Sequence, residues 1–374
     1  IGGTINIYTK NSNSEQLNKN FDIFTGSNNS KNISISLDQK VNDIDYYIGL
    51  NKYITDGISA MSHNDEDDSY RNDNILLNIG YEISENLRLE NKFRANKSLL
   101  NYDTSNQSET DLNDRTSDKE LSYVLRLIND NNYFKNTYTY NRYYVKRNVQ
   151  DKATTQKNYY GYRDSINYNG EYNFNLDNKI IFGLDNEFES ADYDTWATTS
   201  ALESDEAIFS QYFDIQMRLL ENLYATAGVR RDSHTTAGDF TTYRFTSAYL
   251  LDKSTKFRTS IGTGIRFPTL NDYFYDTNVI IKENLKPEKS FSIDFGLEKK
   301  LFKEKLVIDT SLFHIEYDDT ISGWAEHKQS GGGFTIENSS GVVKSSGLEL
   351  SAILITDIID RITFGYTFVD AYDG

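Results

Sequence analysis

The sequence predicts an all-β chain and, within that class, an antiparallel transmembrane β-barrel. Three observations carry the prediction. Apolar and polar residues alternate with a period of two over long segments, the mark of strands with one apolar face. Proline occurs twice in 374 residues, whereas Tyr and Phe occur 28 and 21 times. That composition suits sheet ladders, which proline breaks and aromatic rings reinforce. Connections alternate between about 3–5 and about 5–20 residues, which gathers the long ones at one end, as in outer-membrane barrels.

Residues 1–10, IGGTINIYTK, read as a turn plus a short strand, and residues 11–20 as a polar linker. Hairpins begin at Phe21. Ile33, Ile35 and Leu37 alternate with Ser34, Ser36 and Asp38, and a strand over Asp45 to Thr55 leads into an acidic loop, Asp56 to Asn72. Leu77, Ile79, Tyr81 and Ile83 form the next apolar face. The turn Ser84 to Asn86 leads to Leu87, Leu89 and Phe93, and a polar loop spans Asn101 to Asp118.

Leu121, Tyr123, Leu125 and Leu127 share a face, followed by a turn at Asn129 to Asn132 and a tyrosine-rich strand from Phe134 to Tyr144. Strands over Tyr159 to Tyr172 and Lys179 to Glu189 bracket Asn173 to Asp177, and a loop over Ser190 to Asp205 holds Trp196. Phe209, Phe213, Ile215, Met217 and Leu219, then Leu223, Ala225, Ala227 and Val229, mark the next pair. The clearest unit runs from Lys256 to Ile265, across a long loop, to Phe291, Ile293, Phe295 and Leu297, which alternate with Ser292, Asp294, Gly296 and Glu298. Ile293 is expected to face lipid and Ser292 the interior. The pattern closes on Ile362, Phe364, Tyr366 and Phe368, for about 17 strands, most with 10 or more residues. A bilayer crossing needs about 9–11. Tyr138, Tyr140, Tyr143, Tyr144, Tyr159, Tyr160 and Tyr162 are expected near strand ends at the membrane interface.

Composition narrows the function. A net charge of −17 disfavours nucleic acid. The absence of cysteine excludes disulfides, thiol chemistry and thiolate zinc sites. His63, His234, His314 and His327 share no metal-ligand spacing; His63 and His234 read as loop histidines within reach of a haem. Gly331 to Gly333 has no following lysine and reads as a loop tip. Trp196 and Trp324 suit interface anchoring or ligand stacking. No group of residues points to bond chemistry, so the chain is not expected to be an enzyme.

Three collinear segments resemble the TonB-dependent outer-membrane receptors. IGGTINIYTK resembles the end of their plug domain. Arg266, Phe267 and Pro268, followed by Asn284, Leu285, Pro287, Glu288 and Ser290, resemble their late-barrel segment, and residues 339–354 the strand after it. The resemblance implies a barrel of about 22 strands around a plug. Residues 1–10 would then end the plug, 11–20 form the linker, and 21–374 an incomplete barrel of about 17 strands. It further implies active transport of a scarce metal chelate across the outer membrane, energised by TonB, whose contact segment lies outside this stretch. The partners implied are TonB, the chelate and outer-membrane lipid. Within the family the chain is most similar to the cobalamin receptors. Asp56, Asp65, Asp67, Tyr102, Asp103 and Asp114 match loop positions that bind calcium in that group, while Asp68 stands where the group tends to carry glycine. The all-oxygen set suits calcium. A ferric siderophore or haem is the alternative cargo, and a passive porin the alternative of another class.

Overall fold

The computed structural model describes residues 9–59, 67–103, 114–151, 155–194, 201–274, 279–281, 285–327, 333–356 and 358–372. Twenty strands and one helical turn follow in order: β1 (Asn18–Thr25), β2 (Lys31–Val41), β3 (Ile44–Thr55), β4 (Tyr70–Ser84), β5 (Leu87–Asn101), β6 (Arg115–Asp130), β7 (Phe134–Asp151), β8 (Thr155–Asn175), β9 (Asn178–Asp194), β10 (Ala201–Leu220), β11 (Leu223–His234), β12 (Gly238–Asp252), β13 (Thr255–Arg266), α1 (Leu270–Phe274), β14 (Val279–Ile281), β15 (Glu288–Leu301), β16 (Leu306–Asp318), β17 (Ile321–His327), β18 (Gly333–Asn338), β19 (Val343–Leu354) and β20 (Ile362–Tyr372).

Seventeen of these strands form one sheet. Each pairs antiparallel with the next along the chain, from β1 through β13 and on through β15, β16, β19 and β20. No pairing joins β1 to β20 among the described residues, so the wall has two free edges. Short turns collect at one end. Several are two residues long; one of them, Asn42–Asp43, places Asn42 at φ 52°, a left-handed conformation that asparagine tolerates and hairpin twist demands. The long connections collect at the other end.

The sheet is inside out relative to a soluble protein. On β15, Phe291, Ile293 and Phe295 are 42%, 40% and 49% exposed, while Ser292 and Asp294 between them are half-buried and Gly296 is buried. The same parity runs through Phe209, Phe213 and Met217 on β10 and Ile75 and Ile79 on β4. Among the described residues the buried hydrophobics are Leu270, Leu285 and Ile336, all at the loop end; the buried polar set includes Asp38, Asp45, Asn78, Glu206, Ser210, Asp232 and His234. Leaving an apolar side chain in water forfeits about 1.5–3 kcal/mol, so an outer face of this kind requires hydrocarbon around it. No described helix is long and apolar enough to cross a membrane; the strands make the crossing, their backbone groups satisfied by neighbouring strands except along the two free edges.

Strand height is uneven. β7, β8, β9 and β10 have 18, 21, 17 and 20 residues, against 12 in β11 and in β13. The expected loops Asp56–Asn72, Asn101–Asp118 and Ser190–Asp205 are accordingly shorter than their polarity suggests, because β4, β6, β9 and β10 extend into them. Above the bilayer both faces of a ribbon meet water, so polar residues there are compatible with a strand held by its ladder alone. For the same reason the tyrosines do not all mark strand ends: Tyr138 and Tyr144 lie well inside β7. A second sheet, unforeseen in the sequence, joins the two longest connections at the loop end. β14 lies parallel to β18, which pairs antiparallel with β17. Asn338 pins it, accepting from the Lys286 amide (2.8 Å) and donating to the carbonyls of Lys286 (2.8 Å) and Asp319 (2.7 Å). Residues 1–8, Asp65, His63 and Trp196 lie outside the described residues.

Candidate functional site on the inner wall and loop-end rim

The chain enters along the inner wall. Strand alternation turns Asp38, Asn78 and Lys92 inward, and residues 9–18 are fastened to them. Asp38, 2% exposed, accepts from Lys10 Nζ (2.9 Å), Ser12 Oγ (2.8 Å) and Asn18 Nδ2 (3.0 Å). Asn78 Nδ2 donates to the Lys10 carbonyl (2.8 Å), Lys92 Nζ to Thr9 Oγ1 (3.4 Å), and the Lys40 amide to the Ser14 carbonyl (2.7 Å). A buried carboxylate with three donors, one of them a cation, is compensated; losing its partners would leave an expensive orphan charge. The predicted linker is therefore a fixed strap near the turn end.

Charge pairs line the rest of the inner wall. Arg230 lies between Asp185 (2.9 Å) and Asp232 (2.8 Å), and Ser210 Oγ donates to Asp232 (2.6 Å). Arg258 meets Asp309 at 2.6 Å and Lys256 meets Glu298 at 2.7 Å, while Arg163 pairs with Glu187. A recess of about 390 Å³ opens among Arg163, Asp185, Ser210, Arg230, Asp232 and Phe267. Such a surface is ready to hold polar protein or a polar solute, and sequence inspection missed it because each member looks like an ordinary polar strand residue. Register pairs such as Ser210 with Asp232 and Tyr212 with Arg230 were the usable signal.

At the rim the Arg266-Phe267-Pro268 motif acquires a structural role. Arg266 makes a bidentate pair with Glu288 (2.7 and 2.6 Å), and Glu288 also accepts from the Ile321 amide (2.8 Å). This joins the feet of both long connections. Glu288 lies loop-ward of Phe291, the last apolar outward residue of β15, and so beyond the membrane-crossing part. Hydrogen bonding from Arg266, aided by the Ile321 amide, holds its carboxyl below the usual glutamate range. Thr269 and Asp272 cap α1 reciprocally: the Thr269 amide donates to Asp272 Oδ2 (2.8 Å) and the Asp272 amide to Thr269 Oγ1 (3.2 Å). Pro268 is fully buried.

Phe267 stacks on His234, with ring centroids 4.6 Å apart. His234 is not an exposed loop residue: it ends β11 and is 5% exposed. Its Nδ1 accepts from the amides of Thr236 (3.1 Å) and Ala237 (3.2 Å), which assigns the proton of the neutral ring to Nε2. That nitrogen faces Glu206 Oε2 at 3.4 Å. With Nδ1 bonded and the ring buried under Phe267, His234 is unsuited to ligating a haem. His314 sits on β16, its Nδ1 2.7 Å from Ser346 Oγ.

The expected calcium positions are partly brought together. The Tyr102 amide donates to the Asp114 carbonyl (3.0 Å), Ser59 Oγ to Asp103 (3.4 Å), and Asn101 bonds Ser69 through both its amide (2.9 Å) and its side chain (3.0 Å). Gly57, at φ +77°, approaches so closely that an added Cβ would lie 2.1 Å from the Asp68 carbonyl oxygen. The feet of the two acidic loops thus abut. Asp114 is buried; Asp56 and Asp67 are exposed, the Asp56 amide bonding the Asn28 carbonyl (2.9 Å). Among the described residues no three Asp, Glu or His side chains converge on one point.

Comparison with known proteins assigns the architecture. Residues 5–374 match the family described as TonB dependent receptor-like, beta-barrel. The chain belongs to the TonB-dependent receptor β-barrel family. The wall described above is therefore an outer-membrane barrel wall, with its turn end periplasmic and its loop end outside the cell.

The vitamin B12 transporter BtuB of Vibrio vulnificus is 31% identical over 137 residues, covering 37% of this chain and 21% of that protein. BtuB of Photobacterium profundum is 22% identical over 345 residues, covering 87% of this chain and 52% of that protein. This receptor chain thus spans about half the length of that relative. Among solved structures, the siderophore receptor PirA from Pseudomonas aeruginosa superposes with a TM-score of 0.73 at 13% identity, over 95% of this chain and 65% of that one. The ferric enterobactin receptor PfeA gives 0.76 at 16%, over 96% and 64%. The copper transporter OprC gives 0.76 at 14%, over 96% and 62%. At these identities the likeness is one of fold.

Proposed function

We propose that the complete protein imports a scarce metal chelate across the outer membrane with energy delivered by TonB, and that cobalamin is its first-choice cargo. One observation carries the choice of gated receptor over open porin. The strap at residues 9–18 is fastened by Asp38 and Asn78 to the inner wall, on the lumen side, where a plug would sit. A plugged lumen blocks diffusion, and transport then needs work from outside the barrel. The barrel supplies binding and a paired-charge wall, and no bond chemistry.

The choice of cobalamin is supported by the 31% identity to a vitamin B12 transporter over 137 residues. A ferric siderophore is the second reading, favoured by the fold likeness to the siderophore receptor PirA and to PfeA. Equilibrium binding of cyanocobalamin and of a panel of ferric chelates to the complete gene product separates them. Sub-micromolar binding of a ferric chelate with none of cobalamin would reverse the order. A large constitutive conductance of the complete protein in planar bilayers would replace both with the porin.

Calcium fits the same reading. Asp56, Asp65, Asp67, Tyr102, Asp103 and Asp114 offer only oxygen donors, as a hard cation requires, and the abutting loop feet favour a shared ion. Bound there, calcium would neutralise the carboxylates and order the loops for substrate. Protease nicking between Asp56 and Asn72 should slow on calcium addition; indifference removes the site.

A further inference from the structure

Three lysines stand side by side on the outer face of the wall. Lys97 on β5 is in register with Lys119 on β6, and Lys119 with Lys146 on β7. Strand parity turns all three outward, with Phe93 and Ala95 on β5, Leu121 and Tyr123 on β6, and Tyr138 and Tyr144 on β7. Lys97 and Lys119 are exposed and Lys146 half-buried. Their depth is set by the residues one step nearer the turn end, where Ala95, Leu121, Tyr144 and Tyr162 form the neighbouring row. The Tyr144 and Tyr162 rings pair with centroids 4.9 Å apart. A lipid-facing tyrosine pair marks the boundary between acyl chains and headgroups. The ammonium groups therefore stand in the headgroup layer on the loop side, in the outer leaflet.

Taken alone the row is unfavourable. Like charges directly opposite on neighbouring strands destabilise a sheet, and here two successive pairs are alike in a chain of net charge −17. The nearby acids do not neutralise it. Asp73, the next member of the row beside Lys97, is bound to Lys52 at 2.9 Å. Asp118 faces inward and holds Arg147 at 2.8 Å; Glu120 shares its inward parity. Asp192 lies on β9, beyond Tyr160. Lys146 stands 4.9 Å over the Tyr160 ring, and among the described residues neither Lys97 nor Lys119 makes an ion pair.

We propose that Lys97, Lys119 and Lys146 form a docking site for phosphate groups on an anionic lipid headgroup of the outer leaflet. Adjacent strands are about 4.8 Å apart, so the three cations span roughly 10 Å, enough for one headgroup carrying two phosphates. Arg71, opposite Leu99 one step farther from the membrane, extends the site outward. Lysine suits this task as a point charge that accepts phosphate without fixed geometry.

The test uses the complete receptor reconstituted in nanodiscs of phosphatidylcholine containing a minor fraction of phosphatidic acid, with retained lipid read by native mass spectrometry. The triple variant K97Q/K119Q/K146Q should retain about ten-fold less phosphatidic acid. Arg218→Gln, which removes a cation paired with Asp177 (3.0 Å) at the turn end, far from the row, should retain the wild-type amount. Unchanged heat-modifiability shows that the triple variant is folded; should it misfold, the central single variant Lys119→Gln takes its place, with a smaller loss expected. Excess inorganic phosphate should leave retention unaltered. Equal retention by wild type and variant overturns the proposal. So does an equal loss in Arg218→Gln, which would reduce the effect to overall charge, or displacement by inorganic phosphate, which would make the site one for free anions.

Discussion

Ile293 and Ser292 are neighbours on β15, yet they answer to different solvents. Ile293 lies on a face where it and its neighbours Phe291 and Phe295 are 40%, 42% and 49% exposed, and Ser292 lies on a wall of paired charges. In a soluble sheet the apolar face is the buried one. Here the apolar face is presented outward and the polar face is packed, so hydrocarbon outside and compensated polarity inside hold the wall together. A side chain's worth in this molecule depends on which side of the sheet it leaves.

The largest test of that contrast is a pair of variants. Ile293→Arg places a charge against acyl chains and should cost about 2–4 kcal/mol, whereas Ser292→Arg should cost under about 1 kcal/mol. Urea titration of the folded barrel in lipid, with heat-modifiability as the readout, measures both; equal midpoints would dissolve the distinction between faces. Next comes the inner strap. Asp38→Ala removes one acceptor and strands Lys10, Ser12 and Asn18, an expected loss of about 1–3 kcal/mol. It should also bring fast proteolytic cutting within residues 9–17, while Asp22→Ala on the neighbouring strand should do neither.

A smaller effect is expected at the rim. Because Arg266 lowers the folded-state pKa of Glu288, the clasp contributes fully above the unfolded glutamate value of about 4.3. That contribution is lost as the pH falls through the lower folded value. Limited proteolysis near residues 319–321 should accelerate in that acid window and not at neutral or alkaline pH, and Glu288→Gln should abolish the dependence. The smallest effect belongs to Lys52→Ala. Its pair with Asp73 is 61% and 53% exposed, and removing it should change stability by at most about 0.5–1 kcal/mol. A larger change would mean that this outward pair lies deeper than the headgroups.

The alternation in the sequence was enough for the wall, because a period of two is written residue by residue, as in Phe291 to Leu297. It also located the strap's partner, Asp38, on the polar side of its strand. Three things were hidden. Strands continued into polar stretches such as Tyr70–Asn72, since above the membrane neither face needs to be apolar. The small sheet of β14, β17 and β18 depends on a parallel contact between segments about fifty residues apart, for which local pattern has no sign. His234 looked like a loop residue because its burial comes from Phe267, brought over it by a connection rather than by its own strand. For calcium, the loops singled out by resemblance have feet that meet; an ion also needs converging side chains, which spacing does not encode.

The unequal height of the wall has a consequence for time as well as shape. β8 is nine residues longer than β13 (21 against 12), about 30 Å of extra strand. In β7 and β8 the amides on the turn side of Tyr144 and Tyr162 are sheltered by hydrocarbon, and those beyond stand in an extension of the sheet, still paired with β6 and β9, that is wetted on both faces. A single strand therefore carries two exchange clocks: in deuterated water its upper amides should take up label long before its lower ones, with the step between them drawn at the tyrosine pair.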